Sequence, residues 1–242
     1  MPYIVATICD GRPHPGETPV TQTDESVIVP TRFSEQIREA TWTDHGKAEH
    51  ATFMDELTGG RLSQYEYAEL VVQMWFVYQA LEASAAALSD DVAVAPFLDP
   101  ALVRVPALEA DLEFLLGEEW RSDASPTPET EAYVARLKEV ASWPGGLLAH
   151  HYTRYMGDLS GGLFIGRLVS RLYELGPDSG AAFYDFAGIT DAKAFKEAYR
   201  EHLDAVPFDS EEKLRVIEEI HAAYAFNTAL LVGLGSRVKP KE

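Results

Sequence analysis

Past residue 30 the apolar positions of this chain recur every three or four residues, the period of a helix with one buried face. Leu70, Met74, Val77, Leu81 and Leu88 make one such stripe. Ile217, Ile220, Tyr224, Asn227, Leu231 and Leu234 make another, closed by Gly235 as a natural C-cap. Ser34 is placed to cap a helix running to about residue 53. Further helical patterns cover roughly 99–116, 129–142, 147–173 (interrupted by glycines), 191–203 and 210–234. Pro96, Pro100, Pro126, Pro128, Pro144, Pro177 and Pro207 fall near the joins, where proline is tolerated. No alternating strand run follows residue 30, and no repeat has a solenoid period. The pattern predicts a single all-α domain over 31–236, with a short C-terminal tail at 237–242.

Residues 1–30 read differently. Pro2, Pro13, Pro15, Pro19 and Pro30, with Gly11 and Gly16, cannot sustain a helix, and the only apolar stretch is 3–8. An extended N-terminal arm, holding at most one short strand, is expected there.

Composition narrows the function. The chain has 242 residues, 46% of them hydrophobic and 24% charged, which is globular and long enough for a core without covalent staples. Its formal charge of −19 argues against a broad nucleic-acid or anionic-membrane surface, which would need clustered Lys and Arg. A single cysteine, Cys9, excludes an intramolecular disulfide, an all-Cys zinc site and an Fe–S cluster held by this chain alone. A reducing, cytoplasmic setting without a membrane anchor is the expectation, since nothing approaches 18 consecutive apolar residues.

The motifs GxxxxGK[ST], GxGxxG, HExxH, GxSxG and CxxCH are absent. Two segments are unusual for a plain helical bundle. In Asp44-His-Gly-Lys-Ala-Glu-His50, His45 and Glu49 stand one helical turn apart. An imidazole there has one nitrogen for a metal and another to donate to the carboxylate, but ordinary helical histidines fit the same spacing. In Tyr152-Thr-Arg-Tyr-Met-Gly-Asp-Leu-Ser-Gly-Gly162, Gly157, Gly161 and Gly162 should together cost a helix roughly 2–3 kcal/mol relative to alanine. Backbone approach to a flat ligand would compensate, and so would a tight helix–helix seam with Asp158 paired to Arg154. His150 and His151 diverge by about 100° on a helix and read as polar surface or capping residues. His14, His202 and His221 show no partner pattern, and Trp42, Trp75, Trp120 and Trp143 read as core or half-buried packing.

The stretch His45-Gly-Lys-Ala-Glu-His-Ala-Thr-Phe-Met54, followed in order by Arg154-Tyr-Met-Gly-Asp-Leu-Ser-Gly-Gly162, resembles the haem oxygenase family, especially its soluble bacterial members. The likeness continues through Phe195-Lys-Glu-Ala-Tyr-Arg200 and 224–227, and spans about residues 32–235.

The resemblance implies an all-α bundle in which haem b, as both substrate and cofactor, lies between a proximal helix and a kinked, glycine-rich distal helix. His45 would ligate the iron and Glu49 would hold its other ring nitrogen. Gly157, Ser160 and Gly161 would lie against the haem face. Asp158 would order water beside dioxygen without touching iron, held in a network with Tyr78, Arg154 and Asn227. Tyr152, Lys196 and Arg200 would bind the haem carboxylates, with Arg38 where relatives often carry lysine. The implied reaction is haem cleavage by O2 to biliverdin, the α isomer, with carbon monoxide and ferrous iron. No flavin, nicotinamide or Fe–S motif is present, so electrons would come from a ferredoxin or flavoprotein reductase. A basic island of Arg38, Lys47, Lys193, Lys196 and Arg200 would receive that donor. A monomer or weak dimer is expected. The competing readings are a haem-binding store or carrier that keeps this fold without turnover, and a plain helical interaction domain.

Overall fold

The computed structural model describes residues 31–49, 51–176 and 179–238, without the side chains of 45 and 47–49. The arm expected at 1–30 and the end of the tail, 239–242, lie outside the described residues. Among the described residues ten α-helices follow in order: α1 Phe33–Glu49, α2 Thr52–Thr58, α3 Gln64–Ala87, α4 Val105–Leu116, α5 Trp120–Asp123, α6 Pro128–Glu139, α7 Pro144–His151, α8 Leu163–Leu172, α9 Ala192–Ala205 and α10 Ser210–Gly235. Between α7 and α8 the helix widens into two π-helical turns, Tyr152–Met156 and Asp158–Gly162. No strand occurs among the described residues, so the fold is all-α.

Local chemistry sets many of these boundaries. Ser63 and Glu66 form a reciprocal capping box at the start of α3. Thr127 caps α6 ahead of Pro128, and the Asp191 and Asp209 carboxylates cap α9 and α10 by accepting early backbone N–H groups. α10 is the central pillar, packed against α1, α2, α6 and α7, while α3 packs on α4 and α6. Tyr67, Tyr78, Leu81, Leu108, Leu112, Tyr133 and Ile220 are wholly inaccessible in the resulting core.

Four expectations are corrected. The first helix does not run unbroken to Phe53. α1 ends at Glu49, Ala51 is extended (φ −62°, ψ 140°), and α2 restarts at Thr52, a redirection that buries both Phe53 and Leu57. The pattern at 99–116 divides into a 3-10 turn, Pro100–Leu102, and α4, because the Asp99 carboxylate captures the Ala101 N–H and Val103 is extended. Trp42 is 75% exposed rather than packed, whereas Trp120 is buried.

The adjacent histidines are not surface groups. His150 is fully buried, with Nε2 donating to Glu219 Oε1 at 2.9 Å, and His151 has Nδ1 2.9 Å from the Tyr199 hydroxyl. Burial pushes His151 down to about 3, so it stays neutral. Two further histidines gain partners that their spacing does not announce. His221 Nδ1 lies 2.6 Å from Asp44 Oδ2, and His202 meets the Phe97 ring edge-on.

Candidate functional site

The helix spanning 144–172 builds the site because it is not a regular helix. Its π-turns widen the backbone, and three hydroxyls bond back to carbonyls four residues earlier: Thr153 to Ala149 at 2.9 Å, Ser160 to Met156 at 2.7 Å and Ser170 to Gly166 at 2.8 Å. Both devices bend helices.

Its glycines divide by face. A Cβ on Gly157 or Gly161 would meet nothing within 4 Å, so the bare backbone there borders open space. A Cβ on Gly162 would stand 3.3 Å from Tyr184 Cδ1, and one on Gly166 only 2.7 Å from Tyr184 Cβ. One face of this helix therefore borders open space, and another is pressed tightly against Tyr184 of the 3-10 turn Ala182–Tyr184.

The open face borders a cleft with two lobes that share Gly157, Ser160 and Tyr224. The smaller, about 160 Å³, is rimmed by Arg38 of α1, Tyr152, and Lys196 and Arg200 of α9, with Thr41 and Trp42 alongside. Three cations and a phenol on one rim suit a ligand with carboxylates. Burial pushes the Tyr152 phenol up, against the pull of Arg200 and Arg38. Burial and neighbouring Arg200 lower Lys196, whose Nζ donates to Ser160 Oγ at 3.1 Å.

The larger lobe, about 310 Å³, has apolar walls from Leu70, Met74, Ile165, Phe183 and Leu231, and one polar cluster. In that cluster the Tyr78 hydroxyl donates to Asp158 Oδ2, and Arg154 Nη2 lies 3.5 Å from Asp158 Oδ1. Arg154 Nη1 donates to Asn227 Oδ1 at 2.6 Å, and its Nε is buried with no hydrogen-bond partner among the described residues. Burial raises the Asp158 carboxyl above the usual range, although Arg154 and the Tyr78 hydroxyl pull it down. Burial works against the Arg154 charge as well, but Tyr78 and Asp158 hold it firmly protonated. A fixed carboxyl with raised affinity for protons, facing a cavity, can hold water and pass protons.

Asp158, Arg154, Tyr78 and Asn227 thus form one cluster, and Tyr152, Lys196, Arg200 and Arg38 another, with Gly157, Ser160 and Gly161 between them. His45 and Glu49 lie in α1, with position 45 one turn beyond Thr41; their side chains lie outside the described residues. Thr41, Trp42, Met74, Phe183, Tyr184 and Tyr224 also line the cleft and are not singled out by motif or spacing as site residues. For Tyr184 the Gly162–Gly166 spacing signals that a bulky group presses on α8, though not which one.

A family model described as "Heme oxygenase" matches residues 31–232. The chain is 37% identical to heme oxygenase 1 of Synechocystis sp. over 196 residues, covering 81% of each protein. It is also 37% identical to heme oxygenase 1 of Gallus gallus over 214 residues, covering 87% of this chain and 72% of that one. Among solved structures, that of Synechocystis heme oxygenase-1 in complex with heme superposes with a TM-score of 0.80 at 36% identity, covering 84% of this chain and 92% of the other. The heme oxygenase of Leptospira interrogans gives a TM-score of 0.80 at 30% identity, covering 84% and 99%.

Proposed function

The chain belongs to the haem oxygenase family of haem-degrading oxidoreductases, and from that premise we propose that it cleaves haem b with O2 and supplied electrons to α-biliverdin, carbon monoxide and ferrous iron. The observation that carries this reading is the Tyr78–Asp158–Arg154–Asn227 cluster, set on a cleft whose wall is the bare backbone of Gly157 and Gly161. A store or carrier of haem needs the cleft but has no use for a buried, proton-holding carboxyl.

Haem, when bound, supplies the iron that activates dioxygen and the ring that is oxidised. The protein's part is to hold, orient and protonate. His45 is the proposed iron ligand, and Glu49 fixes its tautomer. Gly157 and Gly161 admit the ring face, while Arg38, Tyr152, Lys196 and Arg200 take the carboxylates. Because these four stand on one rim, they set the in-plane rotation of the ring and hence which edge is opened, favouring the α isomer. Asp158 holds the water that delivers protons. Tyr78 fixes the Asp158 carboxyl, and Asn227 fixes Arg154 beside it.

The described residues include no helix long and apolar enough to cross a membrane. We place the enzyme in the cytoplasm, as a monomer or weak dimer whose haem domain is 31–236, fed by a ferredoxin or flavoprotein reductase that docks beside Arg38, Lys193, Lys196 and Arg200. Electron delivery from an acidic donor should slow as ionic strength rises, measured as the rate of haem reduction.

The primary test is an aerobic single turnover. Protein loaded with one equivalent of haemin receives an enzymatic reductant with catalase present, and the expected result is loss of the Soret band with biliverdin and carbon monoxide released. A stable spectrum that only cycles between ferric and oxygenated forms would replace this reading with storage or delivery.

A second test uses the glycines. Gly157→Ala and Gly161→Ala should each stabilise the apoprotein by about 0.5–1 kcal/mol, since a helical glycine is replaced where there is room. The same methyl groups project into the cleft, so haemin affinity should fall. Urea unfolding of the apoprotein and a haemin titration read the two effects separately. Variants that are stabilised yet bind haemin like the wild type would remove these glycines from the ring-binding face.

A further inference from the structure

In the connection between α8 and α9, residues 173–191, the 3-10 turn Ala182–Tyr184 carries Phe183 and Tyr184 into the wall of the larger lobe that also contains Asp158. This wall is held from outside the loop. Asp111 of α4 is fully buried, and its two oxygens accept the backbone N–H groups of Ala182 and Phe183, each at 2.8 Å. Arg104, at the foot of α4, donates to the carbonyls of Asp185 at 2.6 Å and Phe183 at 3.3 Å, and its guanidinium stacks 4.1 Å over the Phe186 ring. The Tyr67 hydroxyl of α3 donates to the Gly180 carbonyl at 2.9 Å. From the opposite side, Gly166 of α8 leaves no room beyond Tyr184.

A carboxylate buried in this way is costly, and removing it would leave the Ala182 and Phe183 N–H groups without their acceptors. Its use lies in what its oxygens hold. We propose that Asp111 is a positioning residue for the cavity: through the backbone N–H groups of Ala182 and Phe183 it fixes the Phe183–Tyr184 wall across from Asp158. That wall sets how much room remains for the water that Asp158 holds. This last step rests on the haem-cleavage reading, whereas the latch itself does not.

The first arm of the test uses the apoprotein and hydrogen exchange at single amides. Burial pushes Asp111 up to about 6, outweighing the backbone N–H bonds from Phe183, Ala182 and Gly180 and the nearby Arg104 charge. Opening the loop would hydrate the carboxyl and return it to ordinary acidity, so the closed loop binds protons more tightly than the open one. Protection at Ala182 and Phe183, corrected for intrinsic exchange, should therefore rise about tenfold as pH falls from 7.5 to 5. Arg104, Tyr67 and Tyr184, the titratable groups facing Asp111, keep one form across that range. Asp111→Asn should expose both amides about tenfold at pH 7.5 and flatten the pH profile, leaving α10 unchanged. Asp111→Glu should restore the slope. A flat wild-type profile, wild-type protection in Asp111→Asn, or loosening spread evenly over α3, α4 and α10 would each overturn the latch.

The second arm loads the protein with haemin, reduces it under carbon monoxide and records the C–O stretching band. Asp111→Asn should shift or broaden that band. An unmoved band in a variant that binds haemin overturns the placement of the wall beside the ligand. Failure of the wild type itself to bind haemin counts against the haem-cleavage reading, and the exchange arm then decides the latch alone.

Discussion

Asp158→Ala is expected to bind haemin within a few-fold of the wild type and to form biliverdin at least about a hundred times more slowly, the range in which a positioned proton-transfer group contributes. Binding is spared because Asp158 lies away from the cationic rim of Arg38, Lys196 and Arg200, and because the bare backbone at Gly157 and Gly161 is untouched. Turnover is lost because the truncation removes the one carboxyl that Tyr78 and Arg154 hold against the cavity. Asp158→Asn makes the sharper comparison. It keeps the volume and an acceptor for the Tyr78 hydroxyl but cannot exchange a proton at neutral pH, so it should resemble Asp158→Ala in rate while departing less in stability. Single-turnover spectra of the three proteins, with biliverdin and carbon monoxide quantified, check both. Biliverdin formation at the wild-type rate in Asp158→Ala would exclude the carboxyl from proton delivery, and a fully active Asp158→Asn would reduce its role to one of shape.

How far a sequence announces such a site depends on whether the signal is local. The stripe of α10 is local, and the helix expected at 210–234 is observed as Ser210–Gly235. The glycine cost in 157–162 is local as well, because three weak helix formers in six positions need a compensating cause whatever the fold. The break at Ala51 has no local signal: no glycine or proline stands within four residues of it, and the chain turns there because Phe53 and Leu57 gain burial. The same holds for His150 and His151. Two adjacent imidazoles are polar by every local measure, and the groups that satisfy them, Glu219 and Tyr199, are 69 and 48 residues away. Phe183 and Tyr184 were invisible as cavity residues because a loop has no periodicity, and their anchors, Asp111 and Arg104, lie on another helix and at its foot.

Glu219→Gln should cost about 2–3 kcal/mol of stability at pH 7, the scale for hydrogen bonds between charged groups, because Arg136 is 28% exposed and keeps Glu139. The Glu219 side chain is 5% exposed and takes His150 Nε2 at 2.9 Å and the forked guanidinium of Arg136. Burial works against its charge, but the hydrogen bonds from His150 and Arg136 outweigh it and bring Glu219 down to about 2. A folded-state value below the ordinary one near 4.3 means stability that is fully present above about pH 4.3 and lost as pH falls toward 2, worth about 3 kcal/mol. The deficit of Glu219→Gln in urea unfolding should therefore be large at pH 7 and shrink at pH 3. A deficit of equal size at both would mean that packing, not charge, is what the substitution removes. The consequence reaches the site, because the same two helical segments carry a second rung. His150–Glu219 and Arg154–Asn227 both tie 144–172 to α10, with His150 and Arg154 one turn apart and Glu219 and Asn227 about two. The first rung is sealed in the core and the second opens on the cavity. Loosening the sealed rung should also disorder the open one, so Glu219→Gln is expected to slow biliverdin formation several-fold while leaving haemin binding at the α1–α9 rim intact. Loss of stability with an unchanged turnover rate would show that the two rungs act independently.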